Sequence, residues 1–489
     1  MLELLQTFQP TPPSSIIDQT SAGIWFAKRF CLLLAWTLIF TTLEVGANGY
    51  AQQPRTPERQ TDSPTSAWTC AASEQAEVRP IWQGEHGWLF SRPDLITELA
   101  LPDTATFYLK RLASALGARG ITPVALVVPT RGSVAADRRG TNPALASYNP
   151  EAAARGYRAF LARLRRAGFI APDLLTVARA EGDAFFFKRD HHWTPAAAQA
   201  VARSVAARLE ASLASLPKTA FVSPRAPSKK QLGTLQRRVE ARCPGFSLPL
   251  ESVPQFQTRL RRPEKADGAA LFTATAPEVV LVGTSNSHRG EEKPELDFDG
   301  FLRQALSLEV LNVAFPGAGV YGSLEAYLRS SEYRKTPPRV LLWETTYMSW
   351  HRRGSLGTEQ RQVLPSVYGA CPRPLATRAH QTLPKGKTVL LGGLKVSRTK
   401  LGHGAYLQLV LDDPSLVKFD LELRYRNLTE RVALAHTTRV ANSGEFFFDL
   451  ASSAAPLEAV ILHSPKAASG GVKLNICPAP LPSAAVNKQ

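Results

Sequence analysis

Three short apolar stretches decide the fold of this chain. Residues 278–287 read EVVLVGTSNS, residues 310–319 read VLNVAFPGAG, and residues 339–346 read RVLLWETT. Aliphatic runs this short, with helical patterns between them, predict the strands of a parallel sheet that helices cover on both faces. A fourth run, Ile121–Val128 (ITPVALVV), continues the pattern toward the N-terminus. The sequence therefore predicts an α/β domain with reactive groups at the carboxyl ends of its strands.

Helical patterns separate these strands. Thr194 and Pro195 form the clearest start signal, a capping residue followed by proline at the first helical position, and an alanine-rich body runs to about Leu216. Just before it, Ala184–Lys188 (AFFFK) is interpreted as a further strand that leads to Asp190. Other helices are expected at Thr104–Ala118, at Glu151–Arg166, near Gly300–Leu306 and up to about Ser331.

The composition excludes several classes of protein. The 489 residues are 44% hydrophobic, which excludes a disordered chain, and five cysteines are too few for a small disulfide scaffold. Only Phe30–Leu43 is apolar enough for a bilayer, which excludes a polytopic membrane protein. This run follows two basic residues, Lys28 and Arg29, and is shorter than the about 20 residues that a spanning helix needs. Both properties are typical of a secretory signal. We expect a signal peptide or an uncleaved N-terminal anchor over residues 1–51, and a flexible linker over residues 52–68.

The cysteine positions also favour export. Cys31 lies inside the apolar run, and the remaining four cysteines are an even number, which favours disulfides in an exported chain. Three pairings are possible, and the domain boundaries favour Cys70–Cys243 and Cys371–Cys477, each closing one folding unit. No cysteine or histidine spacing predicts a metal site, and no motif predicts a cofactor. We therefore expect an exported, periplasmic or otherwise extracytoplasmic protein.

We expect two domains after the linker. The α/β domain covers residues 69–370 and contains an insertion, residues 216–266, whose net charge is +8. Residues 371–489 carry +7 and contain short strand-like runs that predict a β-sandwich. These runs are Thr388–Leu391, Tyr406–Leu411, Phe419–Tyr425, Arg431–His436, Glu445–Leu450, Glu458–His463 and Gly471–Ile476. The net charge of +17 thus lies mainly outside the parallel sheet and predicts an anionic partner.

Two strand ends carry residues suited to nucleophilic catalysis. Asp190-His191-His192 follows the run AFFFK, and Ser285 follows EVVLV. Because residues i and i+2 of an extended segment point the same way, Asp190 and His192 can face one site together, whereas His191 points elsewhere. A serine becomes a nucleophile when an imidazole accepts its proton and a carboxylate orients that imidazole. The hypothesis is a triad in which Asp190 orients, His192 is the general base and Ser285 is the nucleophile.

The residues alone leave other assignments open. Ser287 is a rival nucleophile and His191 a rival base. An Asp-x-His pair before a helix is also common as a capping network, and Gly-Thr-Ser after a strand is also common as a plain turn. For the oxyanion of an acyl-transfer reaction, the candidate donors are the backbone N–H groups of Ser285 and Gly317, together with Asn286.

Several stretches resemble the alginate O-acetyltransferase family, which includes AlgX and AlgJ. They are IWQGEHGWLF (81–90), FFFKRDHHWTP (185–195), VVLVGTSNS (279–287), FDGFLRQAL (298–306), LNVAFPGAG (311–319) and VLLWETTY (340–347). The resemblance implies an SGNH-hydrolase-like domain with Asp190, His192 and Ser285 in the roles given above. His191 departs from the Asp-Thr-His-Trp motif of the family. The cysteines and the C-terminal sandwich make the layout most similar to AlgX, in which a carbohydrate-binding domain follows.

The resemblance also implies a function. It is the transfer of an acetyl group, through Ser285, onto hydroxyls of an exported anionic or neutral polysaccharide, with no cofactor. The implied partners are a membrane acyltransferase, as the acetyl source, and a polysaccharide export complex. Two alternatives stay open, a carbohydrate acetylesterase with the same triad and a non-catalytic polysaccharide-binding scaffold. Nucleic acid is disfavoured as the partner by export and by the absence of a recognition motif.

Candidate substrate-binding residues lie in both domains. In the run FDLELRYR, Arg424 and Arg426 are expected to share the polar face of a strand, where their guanidinium groups can grip the carboxylates of an anionic glycan. Tyr425 of the same run, Arg131 and Tyr321 complete the candidate set. All eight tryptophans precede the sandwich, which therefore lacks the flat indole surface expected of a glycan platform.

Overall fold

The described chain alternates strands and helices as far as Tyr368 and is built of strands after it. The computed structural model describes residues 70–77, 79–99, 101–261, 276–288, 297–351, 356–392, 404–450 and 456–480. Its strands are β1 (Ile81–Gln83), β2 (Leu89–Ser91), β3 (Thr122–Val128), β4 (Phe221–Val222), β5 (Arg225–Gln231), β6 (Glu251–Phe256), β7 (Arg259–Leu260), β8 (Val279–Val282), β9 (Val310–Asn312), β10 (Val340–Thr346), β11 (Ala376–His380), β12 (Gly386–Leu391), β13 (Ala405–Leu411), β14 (Lys418–Tyr425), β15 (Leu428–Ala435), β16 (Glu445–Asp449), β17 (Leu457–Ser464) and β18 (Val472–Pro478).

Helices connect the strands of the first part. They are α1 (Ala71–Glu74), α2 (Asp103–Ala118), α3 (Arg131–Val134), α4 (Pro143–Ala146), α5 (Pro150–Arg166), α6 (Leu174–Glu181), α7 (Pro195–Leu213), α8 (Thr234–Arg242), α9 (Phe298–Leu306), α10 (Gly322–Arg329), α11 (Ser331–Lys335) and α12 (Leu356–Tyr368). Among the residues described, none of these helices has the length and apolarity to cross a membrane. The expected signal or anchor, residues 1–51, and the expected linker, residues 52–68, lie outside the described residues.

One parallel sheet, in the order β3–β10–β8–β9, forms the centre of the α/β region, residues 70–368. Side chains alternate between its two faces: Ala125 and Val127 of β3 join one apolar cluster, and Val124 and Leu126 join the other. Helices α2, α5, α10 and α12 cover the first face, and α6, α7 and α9 cover the second. The predicted α/β fold is confirmed. Because the strands are parallel, their carboxyl ends meet at one edge of the sheet.

The strand expected at Ala184–Lys188 is wrong. Ala184 ends a short 3₁₀ helix, the residues after it form a loop, and the ladder contact of the segment is one isolated bridge between Phe186 and Trp193. Its three phenylalanines are all buried in the second apolar cluster. Burial of the aromatic rings alone accounts for the apolar run, which therefore needs no strand partner.

The basic insertion, as far as residue 261, lies outside the central sheet, as expected. It forms two small antiparallel pairs, β4–β7 and β5–β6, and helix α8 lies between β5 and β6 in the chain. A disulfide joins Cys243, directly after α8, to Cys70. Side chains of β5, including Lys229 and Lys230, are exposed.

The sandwich, residues 376–478, consists of two four-stranded antiparallel sheets. Their orders are β11–β18–β13–β16 and β12–β17–β14–β15, and one apolar cluster fills the space between them. Each of the seven runs expected from the sequence coincides with one of the strands β12 to β18, whereas β11 was not predicted. A second disulfide joins Cys371 to Cys477 of β18, so both expected pairings are present.

Ion pairs join the α/β region to the sandwich. Arg111 Nη1 lies 2.6 Å from Asp449 Oδ2, with Asp449 wholly buried. Arg361 of α12 pairs with Glu430, donates from Nε to the Asp449 carbonyl at 2.9 Å, and lies 4.1 Å from the centre of the Phe448 ring. Arg361 is buried and Arg111 is half-buried, and each guanidinium is fixed by directional contacts with the sandwich, so these contacts hold the sandwich in a defined position.

Candidate active site

Ser285, His192 and Asp190 form one hydrogen-bonded series at the carboxyl edge of the sheet. The Ser285 hydroxyl lies 2.7 Å from His192 Nε2, and His192 Nδ1 lies 2.5 Å from Asp190 Oδ1. With its proton on Nδ1, the imidazole donates to the carboxylate, and Nε2 accepts from the serine hydroxyl. Asp190 and His192 are buried, and Ser285 is half-buried. This arrangement can activate a serine as a nucleophile.

A tight turn, not an extended strand, brings Asp190 and His192 together. Asp190 Oδ1 also accepts the backbone N–H of His192 at 2.9 Å, which is the hydrogen bond of an aspartate-stabilised turn. The Ser285 hydroxyl contacts His192, whereas the His191 ring packs against the His192 ring and its Nδ1 lies 2.6 Å from Thr234 Oγ1. The rival assignment of His191 as the base therefore loses its geometric basis.

Helix α8 of the insertion begins against the loop that carries Asp190. The Thr234 N–H donates to Asp190 Oδ2 at 2.8 Å, and the Leu235 N–H donates to the Arg189 carbonyl at 3.0 Å. The first N–H groups of a helix have no partner within the helix, and its N-terminus favours a negative charge. A Cβ on Gly233 would lie 2.2 Å from the Arg189 carbonyl oxygen, so this approach requires glycine. The insertion therefore completes the environment of Asp190.

The buried Arg131 side chain holds the loop that carries Asp190 through hydrogen bonds to its backbone. Its side chain is 1% exposed and donates to the carbonyl oxygens of Leu89 and Lys188 at 2.8 Å and of Asp190 at 2.6 Å. A further hydrogen bond reaches the Phe187 carbonyl. The expectation that Arg131 binds substrate is wrong, because burial and backbone acceptors occupy its guanidinium. Its role is to fix the position of Asp190.

Glu344, at the end of β10, holds the turn that carries Ser285. Its carboxylate accepts the Thr284 N–H at 2.7 Å, the Thr284 hydroxyl at 2.9 Å and the Ser287 hydroxyl at 3.0 Å. Burial raises the pKa of Glu344, and the hydrogen bonds lower it. Burial has the larger effect, so the pKa is raised to about 7. Glu344 was not singled out from the sequence. The signal in the sequence is an acid near the end of the apolar run RVLLWETT. That this strand pairs with β8 is seen only in the sheet.

Ser287 and Asn286 keep the serine turn in place. Ser287 is buried and its hydroxyl donates to Glu344, which weighs against its assignment as the nucleophile. The Asn286 side-chain carbonyl accepts the Trp193 backbone N–H at 3.2 Å, and its backbone carbonyl accepts Trp193 Nε1 at 2.9 Å. Asn286 thus ties the two reactive segments together. Its assignment as an oxyanion donor stays a prediction, as does that of the Ser285 N–H.

The loop after β9 runs beside the serine turn. The Phe315 N–H donates to the Gly283 carbonyl at 3.3 Å, and His288 Nδ1 lies 2.9 Å from the Ala314 carbonyl oxygen. Gly317 on this loop has a φ of +73°, which few other residues adopt. Its N–H as the second oxyanion donor stays a prediction.

Two of the expected substrate-binding tyrosines are buried. Tyr321 is 2% exposed, and its hydroxyl accepts a hydrogen bond from Gln360 Nε2 at 2.8 Å. Tyr425 is 5% exposed and belongs to the sandwich core. Both assignments are wrong, because each ring packs inside its own apolar cluster and presents no face to a ligand.

The two arginines of the sandwich candidate set are on the surface. Arg424 lies 2.6 Å from Glu422, and Arg426 lies 3.6 Å from Glu458. Since β14 ends at Tyr425, Arg426 lies beyond the strand on which it was expected. A role for Arg424 and Arg426 in glycan binding stays a prediction.

One group of possible metal ligands exists among the described residues. It consists of Asp190, His191 and His192, whose donor atoms lie within 4.8 Å of one another. Asp190 Oδ1 and His192 Nδ1 are joined by a hydrogen bond, and His191 Nδ1 contacts Thr234 Oγ1. These potential ligand atoms are therefore engaged in contacts within the protein. That the site needs no metal or cofactor stays a prediction.

Comparison with known proteins gives the family. Residues 81–347 match the family model described as an SGNH hydrolase-like domain, acetyltransferase AlgX. The chain belongs to the AlgX family. The alginate biosynthesis protein AlgX of Pseudomonas fluorescens is 30% identical over 82% of this chain and 83% of its own length. The probable alginate O-acetylase AlgJ of Pseudomonas aeruginosa is 30% identical over 55% of this chain and 70% of its own.

A solved structure of an AlgX protein supports the same assignment. The structure of Pseudomonas aeruginosa AlgX matches with a TM-score of 0.71 and 27% identity, covering 84% of this chain and 99% of that chain. The family and the fold class predicted from the sequence are both confirmed. In this AlgX-family chain, the sheet edge that carries Ser285 and the C-terminal sandwich are both present.

Proposed function

We propose that this protein is an O-acetyltransferase that moves acetyl groups through Ser285 onto hydroxyls of an exported, alginate-like polysaccharide. The series Asp190–His192–Ser285, joined at 2.5 and 2.7 Å, is the observation that carries the proposal. Relatives named for alginate biosynthesis and alginate O-acetylation support acetyl as the transferred group and a polysaccharide as the acceptor. Two disulfides are typical of an exported protein.

The first half-reaction forms the acetyl-enzyme. Ser285 Oγ attacks the carbonyl carbon of a donor acetyl ester while His192 Nε2 takes the hydroxyl proton. Backbone N–H groups around Ser285 stabilise the oxyanion, and Asp190 stabilises the imidazolium and keeps its orientation. The bond between the acetyl carbon and the donor oxygen then breaks, and the donor leaves as an alcohol with the proton from His192.

The second half-reaction transfers the acetyl group to the polysaccharide. A sugar hydroxyl gives its proton to His192 Nε2 and attacks the acetyl carbon, and Ser285 Oγ leaves and regains that proton. The sum is one acetyl group moved, with no net change in protons or electrons. Water in place of the sugar gives acetate, which is the esterase reaction with the same residues. We assign the acetyl supply to a membrane acyltransferase, since an exported enzyme does not meet cytoplasmic acetyl-CoA.

An acetyl-transfer assay tests the proposal. Purified protein is incubated with para-nitrophenyl acetate, with and without an oligouronate, and the sugar is analysed by mass spectrometry. We expect acetylated sugar from the wild type and none from Ser285→Ala. Ser147→Ala, which changes an exposed serine of the α/β region, is the control and retains transfer. Free acetate without acetylated sugar would identify an esterase, and transfer by Ser285→Ala would exclude Ser285 as the nucleophile.

A further inference from the structure

A loop of the sandwich brings an arginine to the loop after β9. This sandwich loop, residues 436–444, joins β15 to β16. A Cβ on Gly317 would lie 3.6 Å from Arg439 Nη2 and 4.0 Å from its Nε, so the guanidinium lies against the Gly317 backbone. A Cβ on Gly322 would lie 3.9 Å from Thr437 Cβ. Two separate approaches therefore place the sandwich loop beside the α/β region.

Buried contacts hold the base of the sandwich loop. His436 is 6% exposed and stacks on Phe446, with ring centres 3.7 Å apart, and its Nδ1 lies 2.8 Å from Asn442 Oδ1. From α10, Arg329 Nη1 lies 3.1 Å from His436 Nδ1, and Glu325 Oε1 lies 3.4 Å from His436 Nε2. A base fixed to α10 in this way keeps the tip of the sandwich loop beside the same part of the α/β region.

The segment that Arg439 contacts also borders the serine turn. The Phe315 N–H donates to the Gly283 carbonyl at 3.3 Å. Gly317 follows Phe315 by two residues, and Ser285 follows Gly283 by two residues. Arg439, a residue of the sandwich, is thus placed at the edge of the sheet where acyl transfer is proposed.

The Arg439 side chain is exposed and, in the part of the chain that the structure describes, has no carboxylate within 4.0 Å. Three other arginines that reach across the boundary between the two regions, Arg111, Arg334 and Arg361, each have a carboxylate partner in the sandwich. The Arg439 backbone N–H donates to Thr437 Oγ1 at 3.2 Å, which fixes its backbone. Its guanidinium keeps a planar set of donors that matches a carboxylate in bidentate fashion.

We propose that Arg439 binds a carboxylate of the acceptor polysaccharide and so aligns a uronate-bearing chain beside Ser285. This inference rests on the proposed function and deepens it, because it names the residue that holds a carboxylate of the acceptor at the site of transfer. The sandwich then takes part in acceptor selection at the place of transfer. Arg439 is a binding residue that acts on the acceptor, and it exchanges no proton with the acetyl group.

A binding experiment tests Arg439 without turnover. In a Ser285→Ala background, Arg439→Gln and Arg378→Gln are titrated calorimetrically with a short oligouronate and with a neutral oligosaccharide of equal length. Arg378 is exposed on β11, so its variant has the same change of charge on the same sandwich. We expect Arg439→Gln to weaken oligouronate binding about ten-fold, and Arg378→Gln to leave it at the parent value. Binding of the neutral sugar should not distinguish the two variants.

Turnover gives a second readout. In the active protein, Arg439→Gln is expected to raise the KM for the oligouronate about ten-fold, with Arg439→Lys between it and the wild type. Equal oligouronate affinity in Arg439→Gln and its parent would overturn the inference, as would an equal loss of affinity for the neutral sugar. The titration needs no acetyl transfer. A wild type without transferase activity would therefore refute the proposed function, whereas the Arg439 inference would still be decided by the binding measurement.

Discussion

Replacing Glu344 by glutamine removes a buried titrating group and should change how stability depends on pH. In the folded protein, burial raises the pKa of Glu344 from 4.5 to about 7. Folding therefore keeps a proton on this carboxyl that the unfolded chain has released. A group with a raised folded pKa contributes stability that is fully present below pH 4.5 and is lost as the pH rises through about 7. Glutamine has the same shape, accepts the Thr284 N–H through its carbonyl, and does not titrate.

The size of the effect follows from this difference in pKa. One pKa unit corresponds to about 1.4 kcal/mol, so between about pH 5 and about pH 8 the wild type loses about 2.5 kcal/mol of unfolding free energy through this group. For a region of this size, about 1 kcal/mol corresponds to about 2 °C in melting temperature. The melting temperature of Glu344→Gln relative to the wild type should therefore rise by about 5 °C over this range.

Differential scanning fluorimetry over the pH range measures this difference directly. Glu210→Gln, at an exposed position of α7, is the matched control and should follow the wild type at every pH. Because other titrating groups are common to all three proteins, only the difference between the curves is interpreted. Melting temperatures of Glu344→Gln and wild type that run parallel from about pH 5 to about pH 8 would refute the account of Glu344.

Two further substitutions test the site and the boundary between the two regions. Asp190→Asn removes the acceptor of the His192 Nδ1 proton, so the kcat for para-nitrophenyl acetate hydrolysis should fall about a thousand-fold or more, and a fall below about ten-fold would contradict the assigned role. Arg361→Met leaves Glu430 and the Asp449 carbonyl without their guanidinium partner and should cost about 3 kcal/mol, measured as a melting temperature lowered by about 6 °C. An unchanged melting temperature would show that α12 does not depend on this contact.

The sequence predicted the parts of the site that depend on local patterns. A buried aliphatic run sets the direction of β8, and the following glycine turn sets where Ser285 emerges. Thr194 caps α7 as expected, and its hydroxyl oxygen accepts the Ala197 N–H at 3.2 Å. The pairing of Asp190 with His192 was also predicted, although an aspartate turn and not an extended strand produces it.

Contacts between distant parts of the chain were not predictable in the same way. Thr234 lies 44 positions from Asp190, inside an insertion that was predicted only as a basic segment outside the parallel sheet. Arg131 and Tyr321 have side chains that suit a ligand, and only the packing of the fold shows that both are buried. Arg439 approaches Gly317 because two separate regions meet, which no local pattern records. These residues depend on tertiary structure for their roles.

The acetyl-enzyme on Ser285 is the central claim and can be measured directly. The protein is exposed briefly to para-nitrophenyl acetate, quenched in acid, digested, and analysed by mass spectrometry for peptides that carry an added acetyl group. The hydrogen bonds at 2.7 and 2.5 Å that link Ser285, His192 and Asp190 predict an acetyl adduct on Ser285 that is absent from Ser285→Ala and is lost when an oligouronate is added before the quench. An acetyl group found on another residue, or a Ser285 that stays unmodified under these conditions, would contradict the account.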